Sequence, residues 1–213
     1  MSIRKFILGA VALLAVFFAV IIVTSDHGGG GDSTADAKET DGAFIVEMIP
    51  HHESAIEMAE IATERGEHPE VKALAEEIIA AQAAEIGGLE RIHQRLFGQP
   101  TSAASHGTLG LPDHEMGMHM EATELADEKP FDKAFIDMMI PHHQGAIRMA
   151  RIELAQGENT GLMNISEAII DAQAREIDEM NRWRKDWYGA PSPAGGVPAE
   201  DEAMAPSHEE MGH

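Results

Sequence analysis

Met48 to Ala59 reads MIPHHESAIEMA, and Met139 to Ala150 reads MIPHHQGAIRMA. One string occurs twice, 91 residues apart: a proline inside an apolar, helix-patterned run, then two adjacent histidines, then a methionine. The likeness extends outward from it. Phe44–Ala59 and Phe135–Ala150 agree at 11 of 16 positions, and Glu76–Ile86 and Glu167–Ile177 agree at 8 of 11, at the same offset and without a gap. A whole helical hairpin has been duplicated.

Each copy reads as two helices. In the first, Phe44, Met48, Ala55, Met58 and Ala62, with Ile45, Ile49, Ile56 and Ala59, form a broad apolar stripe of helical period. Thr40–Asp41 offers an N-cap and Gly66 a stop. His68-Pro69 restarts the chain with proline at the first helical position, and Val71, Leu74, Ile78, Ile86, Leu89, Ile92 and Leu96 continue to Gly98. In the second copy Asp132 is the expected cap, Gly157 the stop, Asn159 or Thr160 the next cap and Gly189 the end. Short turns make the helices of each hairpin antiparallel. Neither hairpin can bury its apolar face alone, so the expected fold is all-α: a four-helix bundle from residues 41–98 and 131–189. The linker 99–130 is long for a compact domain, which makes it disordered or functional, and the tail 190–213 reads as disordered.

Composition narrows the function. A formal charge of −22 repels nucleic acid and anionic headgroups. The absence of cysteine removes disulfides, thiolate metal sites and thiol catalysis. Residues 1–24 read as a targeting segment: Arg4 and Lys5 precede an uncharged apolar run from Phe6 to Val23. No clear cleavage motif follows, which favours an anchor in the membrane over a cleaved signal. The charge pattern exports the remainder, so the bundle is expected at the outer face of the cell membrane, or secreted or periplasmic if the segment is cleaved. Residues 25–40 read as a flexible tether.

The chemistry lies in the repeat. Pro50 and Pro141 would free the carbonyls of Val46 and Asp137 and re-aim the histidines that follow, unless each helix simply begins at its proline. His51, His52, His142 and His143 fall on the inward stripe or its flank. A single histidine there is usually a satisfied core residue. Four, placed identically in two copies with methionine three or four residues before and six or seven after, point to a metal. The donors are imidazole and thioether, a set that favours copper, and Cu(I) in particular. The linker adds His114, Met116, Met118, His119 and Met120 within seven residues, and the tail carries MAPSHEEMGH. Gln82 and Glu85, repeated as Gln173 and Glu176, either orient the histidines from outside or fix bundle register.

The doubled F-I-x-x-M-I-P-H-H-x-x-A-I-x-M-A followed by I-I-x-x-Q-x-x-E-I resembles the DUF305 (CopM-like) family over about residues 42–188. The resemblance implies an exported protein with a ferritin-like four-helix bundle and a role in copper binding. Carried over by motif position, the implied ligands are Met48, His51, His52 and Met58, with Met139, His142, His143 and Met149 in the second copy. Two other readings stand beside an extracytoplasmic copper-binding protein that sequesters the ion or hands it to a partner. A bundle without metal, using its histidines for packing or partner binding, is one. A di-iron carboxylate enzyme is the other. It needs two Glu-x-x-His strings, and the chain has Glu90–His93 but Asn181 and Arg184 at the repeat positions.

Overall fold

The computed structural model describes residues 33–98, 108–118 and 122–200, with side chains from residue 36. The expected N-terminal anchor, tether residues 25–32, His119, Met120 and the tail beyond residue 200 lie outside the described residues. Four long helices form the bundle: α1 (Ser33–Arg65), α2 (Pro69–Phe97), α5 (Phe131–Gln156) and α6 (Thr160–Tyr188). Two one-turn helices, α3 (Asp113–Met116) and α4 (Ala122–Leu125), lie between the hairpins. Helix α1 pairs with α2 and α5 with α6, and the hairpins meet through α1 on α5 and α2 on α6. Among the described residues no helix is long and apolar enough to cross a membrane.

Most punctuation falls where the sequence sets it. Pro69 opens α2, Gly98 and Gly189 close α2 and α6 at φ 67° and 89°, and the Asn159 side chain accepts from the N–H groups of Gly161 and Leu162. Both α1 and α5 run unbroken through their prolines, so neither helix begins there.

Three expectations are corrected. First, α1 starts at Ser33 and absorbs half of the expected tether. Ala35, Ala37, Lys38 and Glu39 are good helix formers, Asp36 suits a first turn, and Thr40 bonds back to the Asp36 carbonyl instead of capping. Second, Asp41 and Asp132 cap no helix of their own; both are buried and reach across to the other hairpin. Asp132 accepts from the N–H groups of Glu67 and His68, each at 2.8 Å, and from His68 Nδ1 at 2.6 Å. Asp41 accepts from the N–H groups of Glu158 and Asn159 at 3.0 and 3.3 Å. These acceptors and donors are related by the 91-residue offset, so the duplication has built a reciprocal clasp, with one aspartate holding each opposing turn. Third, the segments outside the bundle are not bare connectors. Leu125 and Ala122 are buried in the core, and Leu109, Leu111 and Met116 pack against it. The start of the tail is held by Gln144, which donates to the Ala194 and Gly196 carbonyls, and by Arg151, which donates to those of Pro198 and Ala199.

The core falls into two apolar clusters. One joins Ala55, Met58 and Ala62 of α1 to Phe135, Ile136 and Met139 of α5. The other joins Phe44, Ile45 and Met48 of α1 to Ala146, Met149 and Ala150 of α5. Early α1 therefore packs on late α5, and the helices cross antiparallel. Phe44 and Phe135 are fully buried, each worth about 1.5–3 kcal/mol. On both helices the residues between the two clusters are the paired histidines.

Candidate metal centre

His51, His52, His142 and His143 are each no more than 1% exposed. The rings of His51 and His142 lie 3.8 Å apart at 39°, so equivalent residues of the two copies meet face to face across the crossing of α1 and α5. Four imidazoles thus form a polar layer between two apolar clusters.

Their outward nitrogens are accounted for in three cases of four. His52 Nε2 lies 2.8 Å from Glu85 Oε2, and His143 Nε2 lies 2.6 Å from Glu176 Oε2. His51 Nε2 lies 2.8 Å from the carbonyl oxygen of Met116. A carbonyl only accepts and an ionised carboxylate only accepts, so each of these Nε2 atoms carries the proton. In a neutral ring the lone pair then sits on Nδ1. The Nδ1 atoms of all four histidines are buried without a partner among the described residues, as is Nε2 of His142. Burial, then repulsion from His52, push the His51 imidazole down to about 3. Burial, then the other three histidines, hold His142 well below the ordinary value. Both rings are therefore neutral, the form that ligates metals.

Buried polar nitrogens left without a partner each cost about 1–3 kcal/mol. A cation that accepts those lone pairs relieves the cost, so the residues fit a bound metal. Among the described residues, no three His, Asp or Glu side chains are arranged to hold an ion. Met48 and Met139 are both fully buried and lie one turn before His51 and His142 on the same stripe, which places thioether sulfur beside the layer. Met58 and Met149 are buried too but lie seven residues beyond those histidines, about 10 Å along the axis. Met116 packs against the cluster that holds Met48 and Met149. His114 is exposed, with its Nε2 3.9 Å from Glu115 Oε1. Met118 is half-buried.

Glu85 and Glu176 are thus the outer partners of two histidines. Gln82 and Gln173 are buried, and among the described residues their side-chain oxygens have no hydrogen-bond partner, so neither bonds to a histidine here. The Glu90–His93 string does not build a carboxylate site: Glu90 is exposed while His93 is buried. At the repeat position Arg184 is committed to Asp137 and the Ala190 carbonyl.

Sequence reasoning missed the residues that bring Met116 to the layer. A Cβ on Gly145 would collide with the Met116 carbonyl, and one on Gly117 would collide with the backbone of Pro141 and His142. Gly117 also has φ +72°, which favours glycine. Arg148 donates to the Glu115 carbonyl at 3.0 Å. A signal existed. Gln144, Gly145, Arg148 and Arg151 stand where the first copy has Glu53, Ser54, Glu57 and Glu60, and every one of these departures takes hold of a segment outside the bundle.

The fold and the layer define a duplicated helical bundle whose central layer carries imidazoles flanked by buried thioethers. The chain belongs to the DUF305 family: it matches the family described as "Domain of unknown function (DUF305)" over residues 41–184 and again over 132–213, matches that begin one repeat apart. It is similar to CopM, solved in a Cu(I)-bound form at 38% identity, TM-score 0.61, covering 70% of this chain and 98% of that one. The Cu(II)-bound form of CopM matches at 39% identity, TM-score 0.62, covering 70% and 97%. A DUF305 protein from Streptomyces coelicolor shares the fold at 23% identity, TM-score 0.62, covering 73% and 98%. Among proteins of curated function none matches.

Proposed function

We propose that the protein binds copper at the histidine layer, with Cu(I) preferred, and holds or hands on the ion outside the cytoplasm. One observation carries the reading: five imidazole nitrogens are buried without partners while three Nε2–H groups are tied from outside. That pattern aims Nδ1 lone pairs inward, as oriented metal-binding histidines require. His51, His52, His142 and His143 are the imidazole donors and Met48 and Met139 the nearest thioethers. Met58 and Met149 continue the thioether line on either side. The donor set is soft and uncharged, which suits Cu(I) over hard cations that want oxygen. The similarity to CopM, solved with both copper states, supports the choice of metal. The apolar run behind Arg4 and Lys5 is the basis for placing the domain outside the cytoplasm, anchored or released.

The test is elemental analysis of the purified protein after expression in medium replete with copper, zinc, iron and manganese, followed by competition for Cu(I) against a chelator. Copper retained in preference to the others supports the reading. Iron or manganese at stoichiometric level supports the enzyme reading, and no retained metal supports the bundle without metal.

A further inference from the structure

We propose that residues 113–118 form a strap that closes the histidine layer, and that Gly145, Gly117 and Arg148 are the positioning residues that seat it. The proposal rests on the reading of the layer as a site for a soft cation. Three independent contacts seat the strap. The Met116 carbonyl accepts from His51 Nε2 at 2.8 Å, the Glu115 carbonyl accepts from Arg148, and the backbones at Gly117 and Gly145 approach closer than any side chain would allow. Gly117 is itself buried, directly over the backbone of Pro141 and His142.

The strap does two things to the site. It covers His51 on the side where Nε2 faces outward, so a cation entering there must lift it. It also fixes the tautomer: with Nε2–H donated to the carbonyl, the His51 lone pair is held on Nδ1. The bundle's own carboxylates do this for His52 and His143, and the linker does it for His51. Among the described residues His142, its partner ring, has no hydrogen-bond partner at either nitrogen. The two copies are therefore unequal, and the inequality comes from the linker. Lifting the strap exchanges two hydrogen bonds to its carbonyls, from His51 and from Arg148, for solvent. It also moves the Met116 thioether, which already packs against the cluster of Met48 and Met149, so the strap carries a soft donor with it.

The probe is Ag(I), a closed-shell stand-in for Cu(I) that needs no reductant. Gly145→Ala drives a methyl group into the Met116 carbonyl, and Arg148→Ala removes the second tether without adding anything to the bundle. Three quantities are measured on the full chain: the rate of Ag(I) uptake by stopped flow, carbethoxylation of His51 and His142 by peptide mapping, and the 15N shifts of the His51 ring. In both variants we expect Ag(I) uptake at least about tenfold faster at unchanged stoichiometry. We also expect His51 to become reactive and its Nε2–H tautomer signature to become a mixture. A merely structural strap would lower the melting temperature without moving the ring shifts or the uptake rate. That result, in a folded variant whose parent binds Ag(I), overturns the strap alone. If Gly145→Ala does not fold, Arg148→Ala decides by the same criteria. Failure of the parent to bind Ag(I) overturns the metal reading, and the strap as a closure over a metal site falls with it.

Discussion

Removing the carboxylates behind His52 and His143 separates a metal site from a packing device. Glu85 and Glu176 sit on α2 and α6, with their Oε2 atoms 2.8 and 2.6 Å from imidazoles that are fully buried. In Glu85→Ala/Glu176→Ala each ring keeps a buried Nε2–H with no acceptor. That costs about 1–3 kcal/mol per site in the metal-free protein. The larger consequence is at the other nitrogen. Freed from the carboxylate, each ring can turn and shift its proton to Nδ1, which withdraws the inward lone pair. Loss of one such outer partner typically weakens metal affinity about 10–100-fold, or about 1.4–2.7 kcal/mol. Cu(I) affinity by chelator competition and urea unfolding of the metal-free protein are measured on the same preparation. We expect both to fall, with Glu→Gln at both sites recovering part of the stability by restoring an acceptor. Lower stability with unchanged Cu(I) affinity would refute the reasoning and leave these pairs as helix–helix contacts.

Other predictions follow from the clasp and the strap. Asp132→Ala leaves the N–H groups of Glu67 and His68 and the His68 ring without their acceptor, and should destabilise by about 3 kcal/mol or more in urea unfolding. Glu153 is buried beside Asp41, and among the described residues neither of its oxygens has a hydrogen-bond donor; burial, then the Asp41 charge, raise it to about 8. Its folded state binds the extra proton, so stability should fall as pH rises from about 4.5 to 8. The slope should be no steeper than about 1.4 kcal/mol per pH unit, and Glu153→Gln should flatten it. Met116→Leu/Met118→Leu keeps apolar bulk and removes sulfur; the metal-free melting temperature should hold while Cu(I) affinity or stoichiometry drops, as read by chelator competition.

What the sequence made legible was whatever repeats. The hairpins, the inward histidines and the recurrence of Glu85 as Glu176 all follow from period and offset, because burial of an apolar stripe dictates them locally. The start of α1 was misplaced because Thr40–Asp41 looks like a cap, while the Ala, Lys and Glu before it carry the helix further. Asp41 and Asp132 were misread for a related reason: an aspartate near a helix start is a local signal, but their partners lie 64–118 residues away in the opposing turn. Gln82 and Gln173 recur at the same offset as Glu85 and Glu176, but only the carboxylates reach a histidine ring nitrogen among the described residues. The strap was hidden because its seat is made of absences, two glycines where a Cβ would collide, and such closeness has no sequence period. Comparing the two copies at Gln144, Gly145, Arg148 and Arg151 would have exposed it.

The central claim is that the doubled MIPHH strings bind copper. Replacing His51, His52, His142 and His143 together by Gln keeps hydrogen-bonding groups in the layer and removes every inward imidazole. Cu(I) affinity of this variant, measured by chelator competition with circular dichroism confirming a helical fold, tests the claim most directly. The account predicts a loss of at least about tenfold, or about 1.4 kcal/mol. A folded variant that binds Cu(I) as tightly as the parent would contradict it and leave the histidine layer as helix packing.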